Sequence, residues 1–468
     1  MDVLWGIGGM FALLGIAYLA STNRKAIKLR TVGAAFALQV IFGVIVLYWE
    51  AGQRGLQTAT QAVQAVINSS DKGITFLFGP VLPETGLVFA FQVLPVIVFF
   101  ASLTSVLYYL GVLQKVVEGL GGALQRLLGT SRAESVNAAA NVFVGQTEAP
   151  LVIKPYIKNL THSSLFAVMV GGLSTVAGSV LVGYSLLGAK LEYLIAASFM
   201  AAPGALLMAK MIMPETEDIS HELEVDTGRA HESHAEKKHE SASHGESKEG
   251  TAAAESAATA ATATATADET GDGAATDTGK ITGAEKTADD AEEEEGEHRN
   301  VIDAAAAGAA EGLQLALNIG GMLLAFISLI ALLNLIIGGV GGWFGADDLT
   351  FEQILGWLFA PVMFVIGVPW DEAIRAGSFI GQKIVVNEFV AFSKFGPVAS
   401  EFTPKTTAII TFGLTGFANL GSLGILLGGL GGLAPNRRGD IARFGLRAIL
   451  AATLANLMSA AIAGILIG

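Results

Sequence analysis

Long apolar segments alternate with short charged segments along most of the chain. Eight stretches contain no Asp, Glu, Lys or Arg, and each has roughly the 20 residues that a helix needs to cross a bilayer core. We therefore expect eight transmembrane helices, at residues 3–20, 31–49, 87–113, 164–188, 193–209, 315–337, 406–428 and 448–467. Basic residues follow the first stretch and none precedes it, which favours a membrane span over a cleaved signal peptide.

Two further segments, residues 131–160 and 371–396, are apolar but interrupted by polar residues and helix breakers. In the first, Pro150 and Pro155 each remove a backbone donor, and Gly145 can adopt dihedral angles that other residues avoid. Non-helical backbone at membrane depth is tolerated only where protein or a water-filled cavity covers it. Since neither segment is long enough to cross twice, each predicts a re-entrant hairpin.

The first hairpin has a recognisable start. Ser131 is followed three residues later by Glu134, which predicts a capping box. The helix is then expected to break near residues 145–150 and to resume to about residue 160. Residues 112–129 carry apolar and basic positions on different faces, which is typical of an interfacial helix, although an extension of the third span into the cytoplasm fits as well.

The segments after spans one, three and seven are rich in Lys and Arg, which predicts that they are cytoplasmic. Both termini are then expected in the periplasm. With six crossings between the first and last of these segments, residues 351–369 must lie along the membrane or dip into it. By this topology the two hairpins enter from opposite sides.

The expected fold is therefore an all-α polytopic membrane protein with eight transmembrane helices, two opposed re-entrant helical hairpins and interfacial helices, arranged as an inverted repeat. Each hairpin precedes a span in which Gly, Ser, Thr and Asn replace large apolar residues, at 173–184 and 415–429. Broken helices of this kind are typical of inverted-repeat transporters. Close packing of helices through small residues is the alternative explanation of the glycines.

The net charge of −14 describes one segment only. Residues 214–299 contain 24 acidic against 7 basic residues, and the remainder of the chain is slightly positive. This insert has too few large apolar residues to form a core, which predicts a disordered cytoplasmic loop.

The sequence lacks most of the residues on which common enzyme active sites depend. The chain has no Cys, His162 is the only histidine in the membrane portion, and no phosphate-binding Gly-rich motif with Lys occurs. Two acids, Glu148 and Glu388, stand in apolar surroundings instead. An ionisable group at membrane depth costs at least about 2.5–3.5 kcal/mol, so it normally serves a function, unless it lies at the interface in water.

These motifs resemble those of the concentrative nucleoside transporter family, in its short prokaryotic form. The resemblance is carried, in the family's order, by "GQTEAPLVIKPYI", "VAGSVLVGY", "MIMPETE", "NVIDAAAAGAAEGLQLALN", "NEFVAF" and "GFANLGSLGILLGGLGGLAPNRRGDIARFGLRA". It implies a homotrimer in the bacterial inner membrane, with a scaffold and a mobile transport region in each protomer. The expected division is scaffold at 1–110 and 300–345, transport region at 111–213 and 346–468, and the acidic insert at 214–299. The 300–345 region is expected to hold an interfacial helix followed by span six.

The resemblance also implies site residues. A nucleobase would contact Gln146, Thr147 and Glu148, with Val180 beside it, while Glu388, Asn419 and Ser422 would hold the ribose and Phe417 would pack against the ligand. The family's sodium site would fall on Asn141, Val144, Thr175 and Val176.

The resulting hypothesis is sodium-coupled nucleoside import by alternating access, with no cofactor besides the coupling ion and no nucleic-acid partner. Proton coupling is the alternative within the class, because a buried Glu could carry the proton. A channel or a membrane-embedded enzyme is the remaining alternative.

Overall fold

The computed structural model describes residues 2–83, 88–217 and 299–468. These residues form helices joined by short links, and no strand occurs among them. The helices are α1 (Asp2–Leu19), α2 (Leu29–Gly43), α3 (Glu50–Phe78), α4 (Leu94–Tyr109), α5 (Val112–Leu128), α6 (Arg132–Ala140), α7 (Lys154–Ile157), α8 (His162–Ser174), α9 (Gly178–Leu186), α10 (Leu191–Ile212), α11 (Val301–Gly342), α12 (Phe351–Val365), α13 (Trp370–Val385), α14 (Glu388–Phe395), α15 (Pro404–Leu414), α16 (Leu420–Leu433) and α17 (Arg438–Ile467). The acidic insert predicted at 214–299 lies almost entirely outside the described residues.

Every predicted span coincides with an apolar helix or a broken helix. Within the described residues, six segments are long and apolar enough to cross a membrane. Shorter apolar helices at Val3–Leu19 and Leu420–Leu433 correspond to the first and seventh predicted spans. The all-α membrane fold is thus confirmed.

Helix α11 is longer than its predicted span. It runs for 42 residues, which is about 63 Å at 1.5 Å per residue and roughly twice a bilayer core. Asn300 caps its start, since Asn300 Oδ1 accepts from the backbone of Ile302 and Asp303 at 3.0 Å. The residues before 315 therefore continue into the span as one helix and form no separate interfacial element.

Helices α12 and α13 form a sharply bent pair. They meet at 117° across a break of four residues, as expected for a segment that does not simply cross the membrane. Thr350 and Gln353 form a complete capping box at the start of α12.

Helix α3 was not predicted. It spans 29 residues, about eight turns, and buries only Ile67, Ser70 and Ile74. A search for long apolar windows misses such a helix because its remaining faces are polar.

The predicted helix at 112–129 is α5. Its flanking residues Gly111 and Gly129 both adopt left-handed backbone conformations, with φ of 71° and 65°. Leu113, Val117 and Gly121 are buried along one face. Its position at a membrane interface stays a prediction.

The helices differ sharply in how much protein surrounds them. The α8–α9 segment and α10 are 94% and 89% buried over their apolar windows. The corresponding windows at Phe89–Tyr109 and in α11 are only 22% and 11% buried. Side chains of the second pair are as apolar as those of the first, so these helices present apolar surface outward, which lipid or a neighbouring subunit can cover.

Candidate substrate and ion site

Both segments rich in small residues are breaks between two half-helices. The first lies between Ser174, where α8 ends, and Gly178, where α9 begins; the second lies between Leu414 and Leu420, which bound α15 and α16. The two breaks contact each other directly, because Phe417 N–H donates to Thr175 O at 3.3 Å. Unwound backbone from two helices therefore meets at one place, with polar groups that no helix satisfies.

The first hairpin turns earlier than the sequence predicted. Helix α6 ends at Ala140 instead of near residues 145–150, and Asn141 follows as its C-cap. After the turn, the chain continues as a 3₁₀ helix at Ala149–Ile153 and then as α7. The turn is tied to the first helix break, since Gly178 N–H donates to Phe143 O at 3.1 Å.

Only half of the predicted capping box forms. Ser131 Oγ accepts from Glu134 N–H at 3.3 Å, but the Glu134 carboxylate does not return to the Ser131 backbone. It accepts instead from Lys210 Nζ at 2.9 Å and from Ser164 Oγ at 2.7 Å. A buried cation competes better for a buried carboxylate than a backbone amide does.

The second hairpin consists of α13 and α14, joined by Val386 and Asn387. Asn387 caps α14, and its Oδ1 accepts from Val390 N–H at 2.8 Å. This cap fixes the start of α14, so that Glu388 is its first residue. Glu388 is consequently placed at the tip of the hairpin.

Glu388 is 4% exposed and has two strong donors. Its Oε2 accepts from Asn419 Nδ2 at 2.8 Å, and its Oε1 accepts from Tyr184 Oη at 3.0 Å. Asn419 also caps α16, because its Oδ1 accepts from Ser422 N–H at 2.7 Å. Glu388, Asn419 and Ser422 thus lie together, and their contact with a ribose stays a prediction.

Tyr184 is the residue of this cluster that sequence reasoning missed. It lies in α9, its side chain is fully buried, and its ring stacks on Phe392 at 4.4 Å between centroids. The ring of Phe389 packs edge-on against it at 4.7 Å. Its place in "VAGSVLVGY", two helical turns after the break, was the available signal.

The residues expected to contact the nucleobase lie in the turn of the first hairpin. Gln146 is 5% exposed, and its Oε1 has no hydrogen-bond partner within the described part of the chain. Thr147 lies against α16, since a Cβ added to Gly429 would come within 2.9 Å of Thr147 Cγ2. Val180 is buried in the first turn of α9, and Phe417 is half-buried in the second break.

Glu148 differs from Glu388 in its surroundings. Its side chain is exposed, and Oε2 accepts a hydrogen bond from Gly145 N–H within its own turn. The two acids that look equivalent in sequence therefore differ in burial: Glu388 is enclosed by its hydrogen-bond partners, whereas the Glu148 side chain is accessible to solvent at a position with protein around it.

The four residues expected to bind sodium are all buried around the first break. Asn141 Nδ2 donates to Asn137 O at 2.9 Å, and its Oδ1 has no partner within the described ranges. Thr175 Oγ1 donates to Gly171 O at 2.8 Å, so its lone pairs are free to accept. The resemblance assigns backbone carbonyls to Val144 and Val176, which lie in the turn and in the break. Such a set of oxygens fits a hard cation.

Three family profiles match the chain. They are described as "Na+ dependent nucleoside transporter N-terminus", at residues 8–81, "Nucleoside recognition", at 90–191, and "Na+ dependent nucleoside transporter C-terminus", at 269–464.

Full-length relatives agree with these matches. The chain is 49% identical to the uncharacterised transporter YutK of Bacillus subtilis, with 100% of both chains covered, and 43% identical to the nucleoside permease NupC of Helicobacter pylori, with 99% and 98% covered. Among solved structures, CNTnw in an inward-facing substrate-bound state matches with a TM-score of 0.81 and 47% identity, over 100% of this chain and 98% of that one. The chain belongs to the concentrative nucleoside transporter family.

Proposed function

We propose that the protein is a secondary active transporter that imports nucleosides by sodium symport. The observation that supports this best is the meeting of the two helix breaks, where a buried carboxylate held by two donors lies in the same region as buried oxygens without partners. Those groups suit a ligand with hydroxyls and a hard cation. The hairpins and broken helices that supply them are typical of transporters that work by alternating access.

We assign the ribose end of the site to Glu388, Asn419 and Ser422. Vicinal hydroxyls can donate to a carboxylate and exchange hydrogen bonds with an amide. Because Tyr184 and Asn419 already fix the Glu388 carboxylate, a nucleoside meets an acceptor whose orientation is set before binding. Such preorganisation lowers the entropic cost of binding.

We assign the nucleobase end to Gln146, Thr147 and Glu148, with Val180 and Phe417 as apolar neighbours. The free Oε1 of Gln146 is an acceptor without an internal partner, and its amide group offers donors beside it. A nucleobase edge presents donors and acceptors side by side. The solvent-accessible Glu148 carboxylate is then available to a ligand in the same space.

Sodium is favoured over a proton as the coupling ion by the chemistry of its proposed site. Asn141, Val144, Thr175 and Val176 offer amide, hydroxyl and carbonyl oxygens, and none of these groups titrates near neutral pH. A proton would have to be carried by Glu388 or Glu148 instead. The two ions are therefore assigned to different residues, which makes them separable by experiment.

The decisive experiment is uptake of radiolabelled uridine and adenosine into proteoliposomes, with sodium and pH gradients imposed separately. We expect accumulation that requires an inward sodium gradient, and loss of accumulation in Asn141→Leu. Accumulation that follows a pH gradient and ignores sodium would assign the coupling to protons. Downhill flux without accumulation would identify a channel.

We further propose that the protein is a homotrimer in the bacterial inner membrane, with periplasmic termini and a cytoplasmic acidic insert. The outward apolar surfaces at residues 89–109 and in α11 provide area for subunit contacts. CNTnw has been solved in inward-facing, outward-facing and intermediate states, and we infer the same alternation here for the hairpin-bearing region.

The chain has no cysteine, which allows a direct test of this topology. Asp347 and Asn436 are both exposed, and the topology places them in the periplasm and cytoplasm respectively. A membrane-impermeant maleimide added to whole cells permeabilised only at the outer envelope should label Asp347→Cys and not Asn436→Cys. The reverse pattern would invert the proposed orientation.

A further inference from the structure

Lys383 has one of the largest fully buried side chains in the described part of the protein. It lies in the last turn of α13 and is 1% exposed. A buried ammonium group is costly unless acceptors replace its water, so its partners should indicate its function. Nζ donates to Gly413 O at 2.9 Å and to Asn456 Oδ1 at 2.8 Å, and both of these partners are uncharged.

The first partner lies at the end of a half-helix. Gly413 is in the last turn of α15, directly before the second break, where backbone carbonyls lack the amides of a following turn. The C-terminal end of a helix also carries negative partial charge, which a cation stabilises. Lys383 therefore joins the second hairpin to the carbonyl end of α15.

The second partner extends this link to the other break. Asn456, in α17, accepts from Lys383 through Oδ1 and donates through Nδ2 to Ser174 O at 2.7 Å. Since an ammonium group has no acceptor, Oδ1 must face Lys383, which leaves Nδ2 for Ser174. Ser174 ends α8 and precedes Thr175 in the proposed ion site.

The second break packs directly on this network. Gly416 has a φ of 137°, a conformation that L side chains rarely adopt, and a Cβ added there would lie 2.8 Å from Ser174 O and 2.5 Å from Asn456 Oδ1. The break can therefore pass over the Lys383–Asn456–Ser174 connection only with Gly at this position.

The carbonyl ends of α8 and α15, which precede the two breaks, are stabilised by different groups. At the first break, Asn141 caps the first hairpin helix, and the end of α8 is where sodium is proposed to bind. At the second break, the corresponding hairpin helix supplies Lys383, so the cation at the end of α15 belongs to the chain itself. The end of α15 thus receives a donor from the chain itself, while the end of α8, besides its bond from Asn456, is where the ion is proposed to bind.

We infer that Lys383 is a positioning residue that, with Asn456, holds both helix breaks in the arrangement that binds nucleoside and ion. This rests on the proposed location of the substrate site where the breaks meet. Substitution should therefore weaken binding by correctly folded protein, because Asn419, Phe417 and Thr175 belong to those breaks. A side chain that only stabilised the fold would not change affinity per folded molecule.

The test compares Lys383→Met, Asn456→Leu and the double variant in detergent, with Lys394→Met as the matched control, because Lys394 lies in the same hairpin and is exposed. Nucleoside affinity is measured by calorimetry at saturating sodium, the sodium concentration for half-maximal binding is measured separately, and thermal unfolding reports stability. Loss of a charged hydrogen bond predicts about tenfold or more weaker nucleoside binding in each single variant and no comparable further loss in the double variant. The control should bind as the wild type does.

The measurements distinguish a positioning role of Lys383 from a purely structural one. Lower unfolding temperatures with unchanged nucleoside affinity in both single variants would overturn the inference and leave Lys383 a purely structural role. If Lys383→Met yields no folded protein, Asn456→Ala decides the question, because the link to Ser174 runs through Asn456. Wild-type binding that is independent of sodium would contradict the proposed coupling, whereas the nucleoside affinities of the variants would still test the positioning role.

Discussion

Tyr184 and Glu388 are separated by 204 positions in sequence and joined by a hydrogen bond of 3.0 Å from Tyr184 Oη to Glu388 Oε1. The bond connects the second half of the first broken helix to the tip of the second hairpin. It also orients the one carboxylate that the structure encloses at the meeting of the two breaks. Tyr184 therefore contributes to the site without being one of the residues assigned to touch the ligand.

Tyr184→Phe removes this donor and retains the ring that stacks on Phe392. We expect nucleoside affinity to fall by up to about tenfold, because the bond is made with or without ligand and its loss acts only by leaving the carboxylate less well oriented. Calorimetric titration with uridine and adenosine measures the change. Tyr193→Phe, at another buried tyrosine, is the control, and an equal loss in both variants would argue against a specific role for Tyr184.

Glu388→Gln tests the ribose assignment. The amide keeps the shape but loses the charge and one acceptor, so binding of nucleosides should weaken by about tenfold or more. The wild type should also bind 2′,3′-dideoxyadenosine much more weakly than adenosine, and the variant should distinguish the two only slightly, because both changes remove the same interaction. Undiminished discrimination by the variant would place the ribose elsewhere.

Local sequence predicted that helices are interrupted in these segments, because Pro, Gly and polar residues in an apolar context act over a few residues. It failed where distant partners decide the geometry. The capping box at Ser131 is a local rule, but Lys210, 76 residues away, takes the Glu134 carboxylate. Helix α6 likewise ends at Ala140 although the strongest breakers, Gly145 and Pro150, come later.

The sequence was enough to select candidate site residues, but it did not predict how deeply each of them is buried. Glu148 and Glu388 each follow a polar residue in an apolar segment, yet one is exposed and the other is 4% exposed. Burial depends on which elements pack around each hairpin tip, and short-range sequence carries little of that information. Tyr184 was missed for the same reason, since its partner is remote in sequence.

Thr175→Val tests the ion site by removing one oxygen and keeping the shape. We expect the sodium concentration for half-maximal uptake to rise severalfold or more, because the cation loses a ligand, while nucleoside affinity at saturating sodium changes little. Sodium activation of uptake in proteoliposomes measures the effect.

The matched control for Thr175→Val is Thr415→Val. Thr415 caps α15 as Thr175 caps α8, and each hydroxyl donates to the carbonyl four residues earlier, at 2.7 Å and 2.8 Å respectively. Only Thr175 is assigned to the ion site, so only its substitution should shift sodium activation. Equal shifts in the two variants would show that the hydroxyls matter for the helix ends and not for the ion.

Because Lys210 and Glu134 form a buried ion pair, removing either side chain should lower stability, but by different amounts. Lys210→Met leaves the buried Glu134 carboxylate, with Glu215 nearby, without a cation, and breaking a buried pair costs about 3–5 kcal/mol. Glu134→Leu should cost less, because Lys210 still donates to Ser163 Oγ at 2.9 Å and lies 3.7 Å from Glu215. The double variant should unfold at a higher temperature than Lys210→Met, since no unpaired charge remains at position 134. Thermal unfolding in detergent measures all three, and additive losses would show that the two charges do not stabilise each other.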